Sequence, residues 1–344
     1  MDAPRRQLLS LATAASCWPG LLHASTSAVL KPQRVTIALA AKHSLYHLPL
    51  TLADQLGFFR QTGVSVSLLS HEAGSHAMSS FASGKADVVS GSYEHLFEPR
   101  YQDQHPQAFV LMGRTPQVSM GVASRHAGRT TLASLKGGRV GVTALGSSTH
   151  AMACQWLLLN GVLPEDVVFI EVGASSGAVE ALREGMIDAL CNPDPLMHWL
   201  EQKNEIQLLG EARSLKGTLQ VMGGAVPGAA LMARESFLQQ QPAVAQALAD
   251  GVVRALKWLR TAGPTDLFRH VPATYWMSDR AVYLGAFEKL RESYALDGMV
   301  SEEAVLNLWR AQARLTGRLR TNRVLLSRTF TNDFALRAKS RFSA

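Results

Sequence analysis

Small hydroxyl side chains gather in a few loops of this sequence, and Gly146-Ser147-Ser148-Thr149 is the clearest example. The segment follows a short apolar run and precedes a helical pattern. A helix start offers unpaired backbone N–H groups, and Ser or Thr hydroxyls beside it can donate to an anion without a compensating cation. The same residues can also form an ordinary N-cap that touches no ligand. The segment predicts an oxyanion site or a plain cap, and both interpretations stay open.

Further loops with small or polar residues follow other strand-like segments, at 41–48, 73–76, 90–95, 173–177 and 192–195. Ligands of open parallel sheets bind beyond the carboxyl ends of the strands, where such loops meet. The candidate ligand-binding residues are Ser44, Tyr46, His47, Gly74, Ser75, Ser92, Tyr93, Glu94, Ser147, Ser148, Thr149, Ser175, Ser176, Asn192 and Asp194.

Four candidate side chains have two interpretations each. Glu94 would repel an anion but could hold the amino end of a zwitterion or a pyrimidine amine; otherwise it is a solvated acid at a helix start. Tyr46 and Tyr93 could stack on a planar ligand or cap a hydrophobic core. Arg114 could neutralise an anionic ligand or lie solvated at a rim.

Histidines raise the possibility of a metal centre, because several lie in or beside these loops: His43, His47, His76, His95 and His150. Imidazoles that converge from several loops can ligate zinc, copper or nickel. No cluster of cysteines or carboxylates accompanies them, so we expect no metal site and no cofactor. A metal cargo is kept as an alternative.

The motifs of common enzyme classes are missing. Gly146–His150 does not match the G-x-S-x-G elbow, and the sequence has neither a phosphate loop nor a G-x-G-x-x-G fingerprint after its first strand. Its cysteines, Cys17, Cys154 and Cys191, form no C-x-x-C pair, so neither a disulfide framework nor a zinc knuckle is indicated. We therefore expect a protein that is not an enzyme.

The composition bounds the class of protein. Of 344 residues, 47% are hydrophobic and 18% charged, which is typical of a folded globular chain. The net charge of +7 comes from scattered Lys and Arg without interleaved aromatic residues. Nucleic-acid grooves need such aromatic platforms, so no nucleic-acid partner is expected. We expect a monomer.

The first residues have the pattern of an export signal. Arg5 and Arg6 precede a short apolar stretch and then small residues, which predicts a signal peptide at 1–28 and a periplasmic location. Export by the Sec or the twin-arginine route fits the pattern. Lipidation at Cys17 is a less favoured alternative.

The body of the chain contains the order β-α-β-α-β, and about a hundred residues later the pattern returns with a second copy of the unit. Strands are predicted at 35–39, 64–69, 86–89, 139–142 and 167–172, with helices at 50–59, 76–83 and 149–159 between them. We also predict strand-like stretches at 118–123 and 219–232, and helices at 242–259, 281–294 and 302–315. The order predicts an α/β fold with mainly parallel sheets flanked by helices.

The two copies share residues at identical spacing. Ser75, Ala77, Phe81, Gly84 and Asp87 in the first copy correspond to Ser176, Ala178, Leu182, Gly185 and Asp188 in the second. Any unit of helix, glycine cap and strand has part of this pattern. Two related lobes explain it better, with the second inserted into the first through two hinge crossings.

Several segments together resemble the solute-binding proteins of ABC importers for aliphatic sulfonates, taurine and nitrate, a family that also includes receptors for the thiamine pyrimidine precursor. The resemblance covers about residues 34–235. It is carried by Ala53-Asp54-Gln55-Leu56-Gly57-Phe58-Phe59, by 86–95 and 142–150, and by Gly173-Ala174-Ser175-Ser176-Gly177-Ala178-Val179 leading to Cys191-Asn192-Pro193-Asp194-Pro195.

The resemblance implies a two-lobed periplasmic binding protein fold of the type II-like class. Lobe I would comprise 34–118 plus 228–344 with the C-terminal helices, and lobe II would comprise 119–227. The implied function is capture of a small anion or zwitterion in the interlobe cleft. Delivery would be to a membrane-embedded ABC permease with a cytoplasmic ATPase. A thiamine pyrimidine precursor, another aromatic or heterocyclic solute, and a metal held by cleft histidines are the alternative ligands.

Overall fold

The computed structural model describes residues 33–126, 128–316 and 325–344. The predicted signal peptide at 1–28, with Cys17, lies outside the described residues. Within the described ranges, no helix has the length and apolar character needed to cross a membrane.

Two five-stranded sheets form the framework. The first contains β1 (Gln33–Ala40), β2 (Val64–His71), β3 (Val88–Ser92), β4 (Pro106–Leu111) and β10 (Ala229–Arg234). The second contains β5 (Val118–Ala123), β6 (Arg139–Val142), β7 (Val168–Glu171), β8 (Ala189–Pro193) and β9 (Ile206–Glu211). Their strand orders, β2-β1-β3-β10-β4 and β7-β6-β8-β5-β9, have the same pattern.

Each sheet is mixed. In the first, β1 pairs in parallel with β2 and β3, while β10 runs antiparallel to β3 and β4. In the second, β6 pairs in parallel with β7 and β8, while β5 runs antiparallel to β8 and β9. The predicted fold, two mixed sheets flanked by helices, is confirmed, although parallel pairings do not outnumber antiparallel ones.

Helices pack around both sheets. They are α1 (Leu48–Gln55), α2 (Phe58–Gln61), α3 (Gly74–Ala82), α4 (Ser148–Leu159), α5 (Ser176–Arg183), α6 (Leu196–Gln202), α7 (Leu215–Met222), α8 (Glu235–Gln240), α9 (Pro242–Leu259), α10 (Pro264–His270), α11 (Arg280–Leu290), α12 (Glu302–Thr316) and α13 (Asp333–Phe342). The bounds of α9 match the predicted helix, and its apolar face is buried in the core.

One predicted element is wrong. The stretch 219–232 was expected to be strand-like, but its first part belongs to α7 and only β10 is a strand. Ser214 caps α7, because its Oγ accepts from Gly217 N at 3.0 Å, and Gly223 ends it at a φ of 81°. The buried Thr218, Val221 and Met222 have helical spacing. These cap signals outweigh the apolar composition.

The expected helix at 50–59 is also divided, at Gly57. This residue has a φ of 73°, in the left-handed region that favours glycine, and it separates α1 from α2.

The internal repeat has a structural counterpart in two aspartates. Asp87 Oδ2 accepts a hydrogen bond from Thr36 N, and Asp188 Oδ2 accepts one from Arg139 N, both at 2.8 Å. Each carboxylate thereby ties the start of the third strand of its copy to the first strand. The shared spacing therefore reflects a shared structural role.

The chain passes between the sheets twice. It leaves the first sheet after β4, enters the second at β5, and returns before β10. The two connections touch, since Gly228 N donates to Gly113 O at 2.8 Å. A Cβ at Gly228 would lie 2.0 Å from Thr115 O, so only glycine fits there. The lobe boundaries 34–118, 119–227 and 228–344 stay a prediction.

Candidate functional site

A cavity lies where the carboxyl ends of β1 and β3 face those of β6 and β8. Its volume is about 40 Å³, room for about three water molecules. Both sheets contribute to its wall, which is formed by Ala40, Ala41, Ser44, Tyr46, His47, Gly74, Ser90, Gly91, Ser92, His95, Val118, Thr143, Ser148, Thr149, Ala174 and Pro193. We call it the inter-sheet cavity.

The loops around the cavity contact each other directly. Ser44 Oγ donates to Asp194 O at 3.0 Å, and Leu45 N donates to the same oxygen at 3.0 Å. Ser75 Oγ lies 3.0 Å from Ser147 Oγ, with either hydroxyl able to donate. These bonds join the first-sheet loops to the second-sheet loops, so the cavity is enclosed by both.

The first-sheet wall begins with a short 3-10 turn, Leu45–His47, capped by Ser44, whose Oγ accepts from Tyr46 N at 3.2 Å. His47 follows, with Nδ1 2.8 Å from Ser90 Oγ. Burial lowers the pKa of His47 to about 3, so the imidazole is neutral at physiological pH. His47 is therefore a polar group without charge at this wall.

Tyr46 brings a buried hydroxyl to the wall. Its Oη has no hydrogen-bond partner among the described residues. Burial raises the pKa of Tyr46 far above its usual range; the neighbouring Ser92 hydroxyl opposes this shift, and the Glu94 carboxyl adds to it. The phenol stays protonated and is free to bond a ligand.

Glu94 lies behind the wall rather than in it. Its side chain is buried, and burial raises its pKa, with His95 and Ser92 opposing and Glu98 adding to the shift. This shift favours the uncharged form of the carboxyl, which repels an anion less than a carboxylate does.

His95 is the second buried histidine of the cavity wall. Its ring is 1% exposed, and Nδ1 lies 2.5 Å from Glu98 Oε1. Nε2 is buried without a partner, close to the first residue of α3, since a Cβ at Gly74 would lie 3.3 Å from it. One imidazole nitrogen is therefore held by a carboxylate while the other stays unpaired.

The second-sheet wall is the start of α4. Ser147 occupies the N-cap position, but it makes no capping bond because its Oγ is engaged by Ser75, whose N–H donates to it at 3.2 Å. The N–H groups of Ser148, Thr149 and His150 donate to no acceptor among the described residues. The Ser148 hydroxyl makes no hydrogen bond there either. These donors are available to a ligand.

The chemistry of the cavity is that of neutral donors. No Lys or Arg belongs to its wall, and Arg114 instead donates from Nε to Glu292 O at 2.8 Å, outside the cavity. The positive end of the α4 dipole and its unpaired N–H groups can hold an oxyanion without a cation. Across the described ranges, no three His, Cys, Asp or Glu side chains group as metal ligands would.

Comparison with known proteins places this architecture in a family. The model of the family described as NMT1/THI5 like matches residues 44–263. The chain belongs to the NMT1/THI5-like family. A search of curated proteins gave no match.

Solved structures agree with the assignment. A protein of Bordetella bronchiseptica RB50 is 37% identical, with a TM-score of 0.87 over 91% of this chain and 99% of its own. The alkanesulfonate-binding protein SsuA of Xanthomonas axonopodis pv. citri, bound to MOPS, is 19% identical, with a TM-score of 0.69 over 88% and 99%. The periplasmic nitrate-binding protein NrtA of Synechocystis PCC 6803 is 13% identical, with a TM-score of 0.72 over 90% and 89%.

These neighbours establish the resemblance to periplasmic solute-binding proteins that the sequence motifs indicated. Neighbours of known function are mostly binding proteins, although one is a desulfurization enzyme.

The structure places about half of the predicted site residues of this NMT1/THI5-like chain in the cavity wall: Ser44, Tyr46, His47, Gly74, Ser92, Ser148 and Thr149. Ser75 and Ser147 bind each other beside it. Thr149 also has a structural role, because its Oγ1 accepts from Thr143 N at 3.0 Å.

The other predicted residues lie outside the wall. Tyr93 Oη is 2.7 Å from Thr329 Oγ1 in the core, and Ser176 is exposed. Ser175 Oγ donates to Glu72 Oε2 at 3.0 Å, and Asn192 Nδ2 donates to Gly173 O at 2.9 Å. Asp194 forms a buried ion pair with Arg213 at 3.3 Å.

Three polar wall residues were not among the predicted site residues: Ser90, His95 and Thr143. Ser90 lies inside β3 and Thr143 directly follows β6, so both look like strand residues in the sequence. The signal that could have found them is their position at the carboxyl end of a parallel strand. His95 was considered only as a metal ligand.

Proposed function

We propose that this protein is an extracytoplasmic solute-binding receptor. It captures a small anion or zwitterion of the sulfonate, taurine or nitrate type in the inter-sheet cavity and delivers it to a membrane-embedded ABC permease with a cytoplasmic ATPase. It works in the periplasm as a monomer, without a nucleic-acid partner and without catalysis.

The start of α4 carries this proposal. Its N-cap serine is engaged across the cavity, so its first-turn N–H groups are unpaired and Ser148 and Thr149 face the cavity. Unpaired amides at the positive end of a twelve-residue helix favour an oxyanion. Family membership and the sulfonate- and nitrate-binding neighbours support the same ligand class.

Capture and release of the ligand depend on the contacts between the loops of the two sheets. Hydrogen bonds such as Ser44 to Asp194 and Ser75 to Ser147 exist only while the two sheets' loops meet. A ligand that contacts both walls adds binding energy to this arrangement alone, and so shifts the population toward it.

A thermal-shift screen tests the proposal. The panel contains alkanesulfonates, taurine, nitrate, small carboxylates, a pyrimidine amine and divalent metal ions. A ligand at about 100 times its Kd should add about 2.7 kcal/mol to the free energy of unfolding. We expect stabilisation by an anion or a zwitterion. Stabilisation by metal ions or the pyrimidine alone, or by nothing in the panel, would contradict the proposal.

A further inference from the structure

His95 has an unusual position among the polar groups of the inter-sheet cavity. Ser44, His47 and Thr149 already have protein partners, whereas His95 Nε2 is buried and unpaired at the wall, as is the Tyr46 hydroxyl. Of these two groups, only the imidazole nitrogen has its proton position fixed by a neighbouring carboxylate. Since a buried polar group without a partner is unfavourable, such an atom in a binding cavity points to a bond that a ligand completes. We therefore expect His95 Nε2 to bond a ligand in addition to packing in the wall.

The carboxylate of Glu98 fixes which nitrogen of His95 carries the proton. Burial opposes ionisation of Glu98, but hydrogen bonds from His95 and Arg100 hold its pKa below its usual range. Arg100 Nε donates to Glu98 Oε2 at 2.6 Å, leaving Oε1 to face His95 Nδ1. A carboxylate can only accept, so Nδ1 carries the hydrogen. In the neutral ring, Nε2 is then an acceptor.

The two walls of the cavity consequently offer complementary groups. The start of α4 offers donors, from the N–H groups of Ser148 and Thr149. Opposite them, His95 Nε2 offers an acceptor, and no cation of the first-sheet wall competes for it. A ligand satisfies both walls when it has an oxyanion at one end and an N–H or O–H group at the other.

We propose that His95, oriented by Glu98, is a specificity-determining residue that accepts a hydrogen bond from the donor end of a zwitterionic or hydroxylated small anion. Bare anions such as nitrate leave Nε2 unpaired and bind more weakly. This assignment rests on the proposed receptor function and narrows its ligand class.

Matched probes differing in one group test the assignment. Taurine, isethionate and propane-1-sulfonate share a sulfonate and a two-carbon spacer, and end in an ammonium, a hydroxyl and a methyl group. Affinities are measured by calorimetry at one fixed pH for all three compounds. We expect taurine or isethionate to bind at least about tenfold more tightly than propane-1-sulfonate, because the methyl group cannot donate.

Variants of His95 test whether this residue causes the difference in affinity between the probes. In His95→Phe, taurine or isethionate should bind less than about threefold more tightly than propane-1-sulfonate. His95→Gln keeps an acceptor near the Nε2 position, so its ratio of affinities should lie between those of His95→Phe and the wild type. His76→Phe, on the exposed face of α3, is the matched control and should keep the full ratio. Each variant's melting temperature verifies folding.

Glu98→Gln provides a second test if His95→Phe does not fold. An amide can donate to Nδ1, which permits the tautomer with a proton on Nε2, so the ratio should fall while the imidazole remains. Equal affinity of the wild type for taurine, isethionate and propane-1-sulfonate overturns the role of His95 but leaves the receptor function intact. If every folded His95 and Glu98 variant keeps the wild-type ratio of affinities, the role of His95 is likewise overturned and the receptor function is left intact. If none of the three probes nor nitrate binds, the receptor proposal itself fails for this ligand class.

Discussion

Tyr46 and Tyr93 were both predicted to contact a ligand, but their hydroxyl groups have opposite surroundings. Tyr93 Oη is 2.7 Å from Thr329 Oγ1 in the core, whereas Tyr46 Oη is buried at the cavity wall without a partner. Leaving a buried hydroxyl unpaired costs about 1–3 kcal/mol. The free protein is thus less stable than it could be, by an amount that a ligand can recover.

This contrast gives the first prediction. Tyr46→Phe should raise the free energy of unfolding of the ligand-free protein by about 1 kcal/mol and weaken ligand binding, since it removes an unpaired hydroxyl. Tyr93→Phe should lower the free energy of unfolding by about 1 kcal/mol, because it leaves Thr329 with one bond fewer. Urea unfolding of both variants checks this. The opposite order of stabilities would be inconsistent with the described environments.

Asp188 predicts how stability depends on pH. Burial alone would raise its pKa, but the hydrogen bonds from the Arg139 side chain and backbone, with the charges of Arg139 and His126, lower it to about 2. A depressed pKa stabilises the fold above the unfolded value of about 3.9, and this contribution is lost as pH falls toward about 2.

Asp188→Asn should therefore lower the free energy of unfolding at neutral pH by on the order of 1 kcal/mol, a figure reduced for partial solvent screening. The difference from the wild type should shrink as the pH falls through about 4 toward 2. Urea unfolding across this range measures it. A difference that stays constant with pH would refute the role of ionisation.

Which residues form the site could be predicted where loops are short and rich in hydroxyls. Ser44 and Ser148 reach the wall because they come after strands of the parallel part of a sheet, and Ser92 reaches it because it is the last residue of such a strand. Ser176 has the same residue type and a similar loop but is exposed. Its orientation depends on how the second-sheet loops pack, which local sequence does not determine.

At the scale of elements, apolar periodicity predicted the long helix α9 to the residue, because an eighteen-residue amphipathic pattern is unambiguous. The eight residues of α7 are too few for apolar periodicity to distinguish a helix from a strand. Their apolar composition resembles a strand, and the decisive signals are the caps Ser214 and Gly223. Short helices are therefore better predicted from their ends than from their interior.

Gly251 in the interior of α9 provides a prediction at this scale. A Cβ there would lie 2.4 Å from Phe59 Cε1, on a ring buried in the core. Replacing glycine by alanine in a helix usually stabilises by about 1 kcal/mol. Here Gly251→Ala should instead destabilise by about 1–3 kcal/mol, because the ring must shift in a packed core. Thermal and urea unfolding measure the change.

Gly177 is the matched control, in the exposed first turn of α5, where a Cβ would meet its nearest atom, Val172 O, at 3.4 Å. Gly177→Ala should leave stability unchanged or raise it by up to about 1 kcal/mol. Equal effects of the two substitutions would show that α9 does not pack closely on Phe59.

At the scale of the whole molecule, the repeated order of strands and helices predicted three parallel strands in each sheet, β1 to β3 and β6 to β8. The other two strands of each sheet, β10 and β4 in the first and β5 and β9 in the second, lie outside the repeat. The contacts that close the cavity could not be predicted. Ser75 and Ser147 are 72 residues apart, and Ser44 and Asp194 are 150 apart. Such pairs depend on how the two sheets are placed, which the repeat itself leaves undetermined.

The central claim is that a small anion or zwitterion binds at the start of α4 in the inter-sheet cavity. Calorimetric titration of the best compound from the thermal-shift screen tests it most directly, in the wild type, in Ser148→Ala and in the control Ser236→Ala, from the exposed first turn of α8. We predict one molecule bound per chain, a loss of about tenfold in affinity for Ser148→Ala, and no change for Ser236→Ala. Equal affinity in all three proteins would contradict the account.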